Sequence, residues 1–206
     1  MIAKRTKGTP RKQAWVLVHP RFNMQAIEEL ERSRSAGKEE TKGEMAFRKI
    51  HAFYIRRLEK LVQNATHPIL ILEEKKKAEQ TLAWAKSLNP NANIEVIQTW
   101  HRFGAPKKPI ELVEYFQRHG IKRAIIGGSQ ALFKEENPET SEGTLMQYGK
   151  RFFGHRIRVR GCVGVANFAI KALTSAETRV MPAITFPLNL NQWNITRKGK
   201  KIRKRV

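Results

Sequence analysis

Short runs of consecutive apolar residues alternate along this chain with longer stretches in which apolar positions recur every three or four residues. Ala14-Trp-Val-Leu-Val-His19 predicts a buried strand, ended by Pro20. Pro68–Leu72, Ile94–Gln98 and Arg123–Ile126 predict three more, and His155–Val163 and Val180–Phe186 complete the set. Between them lie helical patterns over 24–34, 44–63, 74–87, 109–119, 144–153 and 166–174. The longest, 44–63, sets Met45, Ile50, Phe53, Tyr54, Leu58, Leu61 and Val62 on one face. Ser33–Gly43 and Lys134–Gly143 are polar loops, Asn89-Pro90-Asn91 is a break, Pro109 opens a helix and Gly120 closes it. Strands that are apolar throughout, separated by helices, belong to a parallel sheet covered on both faces. The expected fold is a three-layer α/β sandwich with a mostly parallel sheet of five or six strands.

The 206 residues suffice for one such domain, placed at 13–195 between tails at 1–12 and 196–206. No run of 18 apolar residues is present, so no membrane helix and no membrane partner are expected. The basic start is not followed by an apolar signal segment. The one cysteine, Cys162, excludes an internal disulfide and a cysteine zinc site, and fits a reducing, cytoplasmic setting. No cofactor and no metal site are expected: the histidines at 19, 51, 67, 101, 119 and 155 form no ligand pair in sequence.

Charge changes the picture more than composition does. Forty Lys and Arg stand against eighteen acids, a net of +22, and a fold does not need that excess. All eighteen acids are Glu. The lack of Asp excludes aspartyl-phosphate chemistry, the Asp-rich calcium loop and an Asp-based triad. The tails carry Lys4, Arg5, Lys7, Arg11 and Lys12 at one end and Arg197, Lys198, Lys200, Lys201, Arg203, Lys204 and Arg205 at the other, with no acid. They are expected to be disordered until a polyanion neutralises them. The remaining domain keeps a net of +10.

Four stretches carry candidate chemistry. Gly127-Gly128-Ser129-Gln130 follows a strand and reads either as an anion-binding turn at a helix start or as a plain tight turn. Cys162 lies near a strand end just before a helix, either as a nucleophile, with His19 or His101 as its base, or as a small buried hydrophobe. Trp100 to Lys108 mixes aromatics with Arg102, Lys107 and Lys108. It is either a base-stacking and phosphate-pairing loop or one whose aromatics fold into the core. Arg156, Arg158 and Arg160 alternate along a strand expected near the sheet edge, as a phosphate track or as charged protection of that edge.

The stretches Ala14–Asn23, Val96–Ala105 and Ile110–Gly128 resemble the isochorismatase-like cysteine hydrolases over residues 14–132. In that family an Asp ends the first strand, a Lys follows the third, and a Cys follows the fourth within a few residues. Here His19 takes the Asp position and no Lys stands at Trp100–Arg102. Ser129-Gln-Ala-Leu132 fills the Cys position, with Cys162 about thirty residues later. The resemblance therefore implies a scaffold without the hydrolase residues, a pseudoenzyme. The leading expectation is a non-enzymatic nucleic-acid-binding protein, with RNA favoured over DNA, as part of a ribonucleoprotein. The alternatives are a hydrolase or transferase with a reactive cysteine and a DNA-associated architectural or phage-type protein.

Overall fold

A computed structural model describes residues 12–100, 104–135, 149–152 and 155–187, and side chains within 12–100, 104–129 and 161–186. The chain order is β1 (Gln13–Val18), α1 (Met24–Ser35), α2 (Lys42–Gln63), β2 (Ile69–Glu74), α3 (Lys75–Leu88), β3 (Ile94–Thr99), α4 (Pro109–Arg118), β4 (Arg123–Glu135), β5 (Gly149–Phe152), β6 (His155–Arg160), α5 (Gly161–Leu173) and β7 (Glu177–Pro187). Five strands form an all-parallel sheet in the order β3-β2-β1-β4-β7. The far end of β4 carries an antiparallel hairpin, β6 and then β5.

Alternation along the strands divides the core. Ala14, Val16, Val18, Leu70 and Leu72 are buried against α4 and α5, among Leu112, Phe116, Val163, Ala166 and Ile170. Leu17, Ile69 and Ile71 point to the other face and meet Tyr54, Leu58, Val62 and Ala85 of α2 and α3. Each fully buried Leu or Ile contributes about 1.5–3 kcal/mol, so the central strands hold the layers together. Helix α2 starts at a capping box: the Glu44 amide donates to Thr41 Oγ1 at 3.2 Å, and the Thr41 amide donates to Glu44 Oε2 at 2.8 Å.

The three-layer parallel architecture follows the hydrophobic pattern. Three local expectations do not hold. The turn expected at Gly127–Ser129 is continuous strand, because β4 runs on to Glu135 with β1 on one side and β7 on the other. A Cβ on Gly127 would strike Ile184, and one on Gly128 would strike the Val18 backbone, so these glycines serve strand packing. The strand expected to reach Val163 stops at Arg160, and α5 begins at Gly161, whose φ of 74° turns the chain. The apolar run after it fits strand or helix equally by periodicity. Gly149–Phe152, expected in a helix, is a strand. The arginine strand β6 lies near the sheet edge as expected, with only β5 outside it.

The order of strands fixes where a site can form. From β1 the chain moves outward through β2 and β3, then returns to β4 on the opposite side of β1. The crevice at the carboxyl ends of β1 and β4 is the switch point at which open α/β sheets hold ligands.

Candidate active site

The carboxyl ends of β1 and β2 bring two polar side chains into a dry interior. His19 follows β1 and Glu73 is the fifth residue of β2, and both are essentially inaccessible. His19 Nδ1 lies 2.9 Å from Glu73 Oε1. The carboxylate is fixed further by the Glu74 amide at 3.0 Å on Oε1 and the Thr81 hydroxyl at 3.2 Å on Oε2. A carboxylate so placed selects the tautomer with hydrogen on Nδ1 and sets the plane of the ring.

Cys162 is a second neighbour of the His19 side chain. The thiol stands in the first turn of α5, whose aligned amides give it a partly positive environment. Nε2 makes no well-aligned hydrogen bond among the described residues, yet Cys162 is close enough to favour the charged imidazole. Catalytic hydrogen bonds are commonly loose before substrate binds. Burial alone would lower the His19 pKa. The thiol and the carboxylate beside it outweigh that and hold it at about 9.

The backbone around His19 is shaped for this position. Its φ of 43° is the single positive value at a non-glycine position among the described residues. Strain of this kind persists only where neighbours enforce it. Pro20 follows, and its carbonyl accepts the Tyr54 hydroxyl at 3.0 Å. That hydroxyl also lies against Ser129, and burial raises its pKa. Gly128 lets β4 press on Val18, the residue before His19, and Gly104 lets the β3–α4 loop press on the Cys162 carbonyl. A second buried histidine, His51, packs on Phe47, Tyr54 and Phe186, and burial lowers its pKa to about 4.

Of the candidates read from sequence, His19 and Cys162 are therefore brought together, although 143 positions separate them. The intervening chain includes the β4 extension and the β5–β6 hairpin, and α5 is the first helix described after β4. His101 and Arg102 lie outside the described residues, as do Lys4, Arg5, Lys7, Arg11 and Arg197 to Arg205. Lys12 belongs to the sheet entrance, its carbonyl accepting the Lys122 and Arg123 amides. Lys107 and Lys108 are exposed on the β3–α4 loop, and Trp100 is 55% exposed, so that aromatic does not fold into the core. Arg156, Arg158 and Arg160 lie in β6, where their side chains fall outside the description. Sequence reading missed Glu73, Thr81 and Tyr54. The available signal was Glu73-Glu74, a pair of carboxylates closing an otherwise apolar strand.

No group of three metal-ligating side chains occurs among the described residues, and no described helix is long and apolar enough to cross a membrane. No protein-family model, curated protein or solved structure matches the chain.

Proposed function

We propose that this protein is a cysteine-dependent acyl hydrolase or transferase, with Cys162 as nucleophile, His19 as acid and base, and Glu73 as the group that orients His19. The observation that carries the reading is the buried cluster in which Cys162 of α5 meets His19 and Glu73 at the carboxyl ends of β1 and β2. In this scheme the Cys162 thiolate attacks the carbonyl carbon of an ester, thioester or amide. The carbonyl π pair moves to oxygen, and the first turn of α5 favours the resulting negative charge. The pair returns, the bond to the leaving group breaks, and the His19 imidazolium gives that group its proton. His19 then takes a proton from water, or from an acceptor alcohol or amine, as that molecule attacks the acyl-cysteine. Release of the acyl product returns the thiolate and imidazolium.

We extend the reading to kinship with the isochorismatase-like hydrolases, in a form with His19 in place of the acid. The β5–β6 hairpin lies between β4 and Cys162 and accounts for much of the delay in sequence. This replaces the pseudoenzyme expectation as the favoured reading. The test is intact-mass analysis after exposure to a panel of activated esters, thioesters and amides. Native protein should accumulate one acyl adduct that maps to Cys162, and Cys162→Ser and His19→Gln should not. A native chain that acquires no adduct and turns over no member of the panel contradicts the reading.

Nucleic-acid binding without catalysis, with RNA as the favoured partner, is the second reading. It rests on the net charge of +22 and on the outward-facing Trp100. Under that reading Cys162→Ala changes nothing that the protein does.

A further inference from the structure

The rim beside this site breaks a local rule. Helix α3 opens with Lys75, Lys76 and Lys77 after Glu74 at the N-cap, has no acid in its first turn and has no side-chain cap hydrogen bond. Cations at a helix N-terminus are repelled by the macrodipole, by a few tenths to about 1 kcal/mol each. Three in succession exceed the one carboxylate at the N-cap, Glu74, and suit a further anion, and helix starts are suited to phosphate. A separate observation lies one strand away. Glu74 of β2 is in register with Thr99 of β3, so Lys75 and Trp100 leave the sheet side by side.

The backbone at Trp100 is held by pairing with residues 105–107. Its amide donates to the Ala105 carbonyl at 3.2 Å, the Lys107 amide donates to the Gln98 carbonyl at 2.7 Å, and Thr99 bridges Pro106. Lys107 Nζ stands 5.6 Å from the indole centroid, while the ring remains 55% exposed. An indole fixed in this way, open to solvent and beside the Lys107 ammonium, is a platform for an unpaired base. Of the acids in these segments, Glu74 is half-buried and Glu111 is engaged by Lys108 at 3.3 Å. The same loop reaches Cys162, since Gly104 packs directly on its carbonyl.

We infer that the carboxyl rim between β2 and β3 is a nucleotide subsite that takes an unpaired base on Trp100 and its phosphate at Lys75 and Lys76, so that the acyl group presented to Cys162 is carried on single-stranded nucleic acid. This rests on the reading of Cys162 as a nucleophile and supplies its substrate class. It also gives the positive charge a role in catalysis rather than in a separate activity.

The test uses the full chain and a labelled RNA hexanucleotide, short enough to limit the contribution of the basic tails. Trp100→Ala should weaken binding roughly 5- to 100-fold, and Trp100→Phe, which keeps a stacking ring, should bind much as the native chain does. Lys75→Gln with Lys76→Gln should lower the log–log salt slope by about 1.4. Bound hexanucleotide should slow alkylation of Cys162 by iodoacetamide, a readout that is clean because the chain has one cysteine. Equal binding by Trp100→Ala, an unchanged salt slope, or an alkylation rate indifferent to bound RNA overturns the subsite. Failure of the nucleophile reading shows separately, as equal RNA-free alkylation in native protein and His19→Gln.

Discussion

His19 and Glu73 stand at the carboxyl ends of adjacent strands and share a hydrogen bond of 2.9 Å that no water reaches. Strand pairing sets this contact. Val18 is in register with Leu72, so the residues that follow each of them, His19 and Glu73, are neighbours as soon as the sheet forms. A buried pair of this kind is costly to break from one side. Glu73→Ala should destabilise the protein by about 3–5 kcal/mol. Glu73→Gln, which keeps an acceptor, should cost roughly 1–3 kcal/mol. Urea unfolding at pH 7 checks both, and a Glu73→Ala protein as stable as native would remove the pairing from the account.

The two buried histidines give opposite pH limbs. The His19 pKa is raised from 6.5 to about 9, so its contribution is complete below pH 6.5 and is lost as pH rises through 9. The His51 pKa is lowered from 6.5 to about 4, so its contribution is complete above pH 6.5 and is lost as pH falls through 4. Stability should therefore be greatest near pH 6.5. His19→Gln should flatten the alkaline limb and His51→Gln the acid limb, as read by thermal melts across pH 4–10.

Much of this site was legible in the chain, and part was not. The apolar strand runs, the helix after Pro109 and the role of Gly120 follow from periodicity and caps, which are local. Cys162 and His19 were legible as one candidate pair among others. The geometry that joins them was not, because it depends on the hairpin between β4 and α5. Glu73 was hidden by its neighbour, since a Glu-Glu pair ordinarily reads as solvated surface. The Gly127–Gly128 pair misled because glycine marks close backbone approach as readily as a turn.

Gly128 is a second place to test the packing. Its φ of 125° and the Val18 backbone beside it leave no room for a side chain. Gly128→Ala should cost more than about 2 kcal/mol and displace the end of β1, with loss of His19-dependent chemistry. A melting temperature within a degree or two of native would count against the close approach of β1 and β4.

Tyr54 ties helix α2 to the His19 turn through the Pro20 carbonyl. Tyr54→Phe removes the donor and leaves the carbonyl without it, at a cost of about 1–3 kcal/mol. Because the strained turn positions His19, the variant should also slow Cys162 alkylation more than a distant variant of equal stability does. Thr41→Ala, which opens the α2 capping box at a cost of about 1 kcal/mol, is the matched control. Equal alkylation in the two variants would make Tyr54 a packing residue only.

The most direct measurement is the rate of Cys162 alkylation by iodoacetamide as a function of pH, in native protein and in His19→Gln. The expected result is rapid modification at pH 7 in the native chain, an inflection as pH passes about 9, and loss of both features in the variant. Slow modification with the same pH dependence in both proteins would mean that Cys162 is a buried structural thiol, and the proposed chemistry would fall with it.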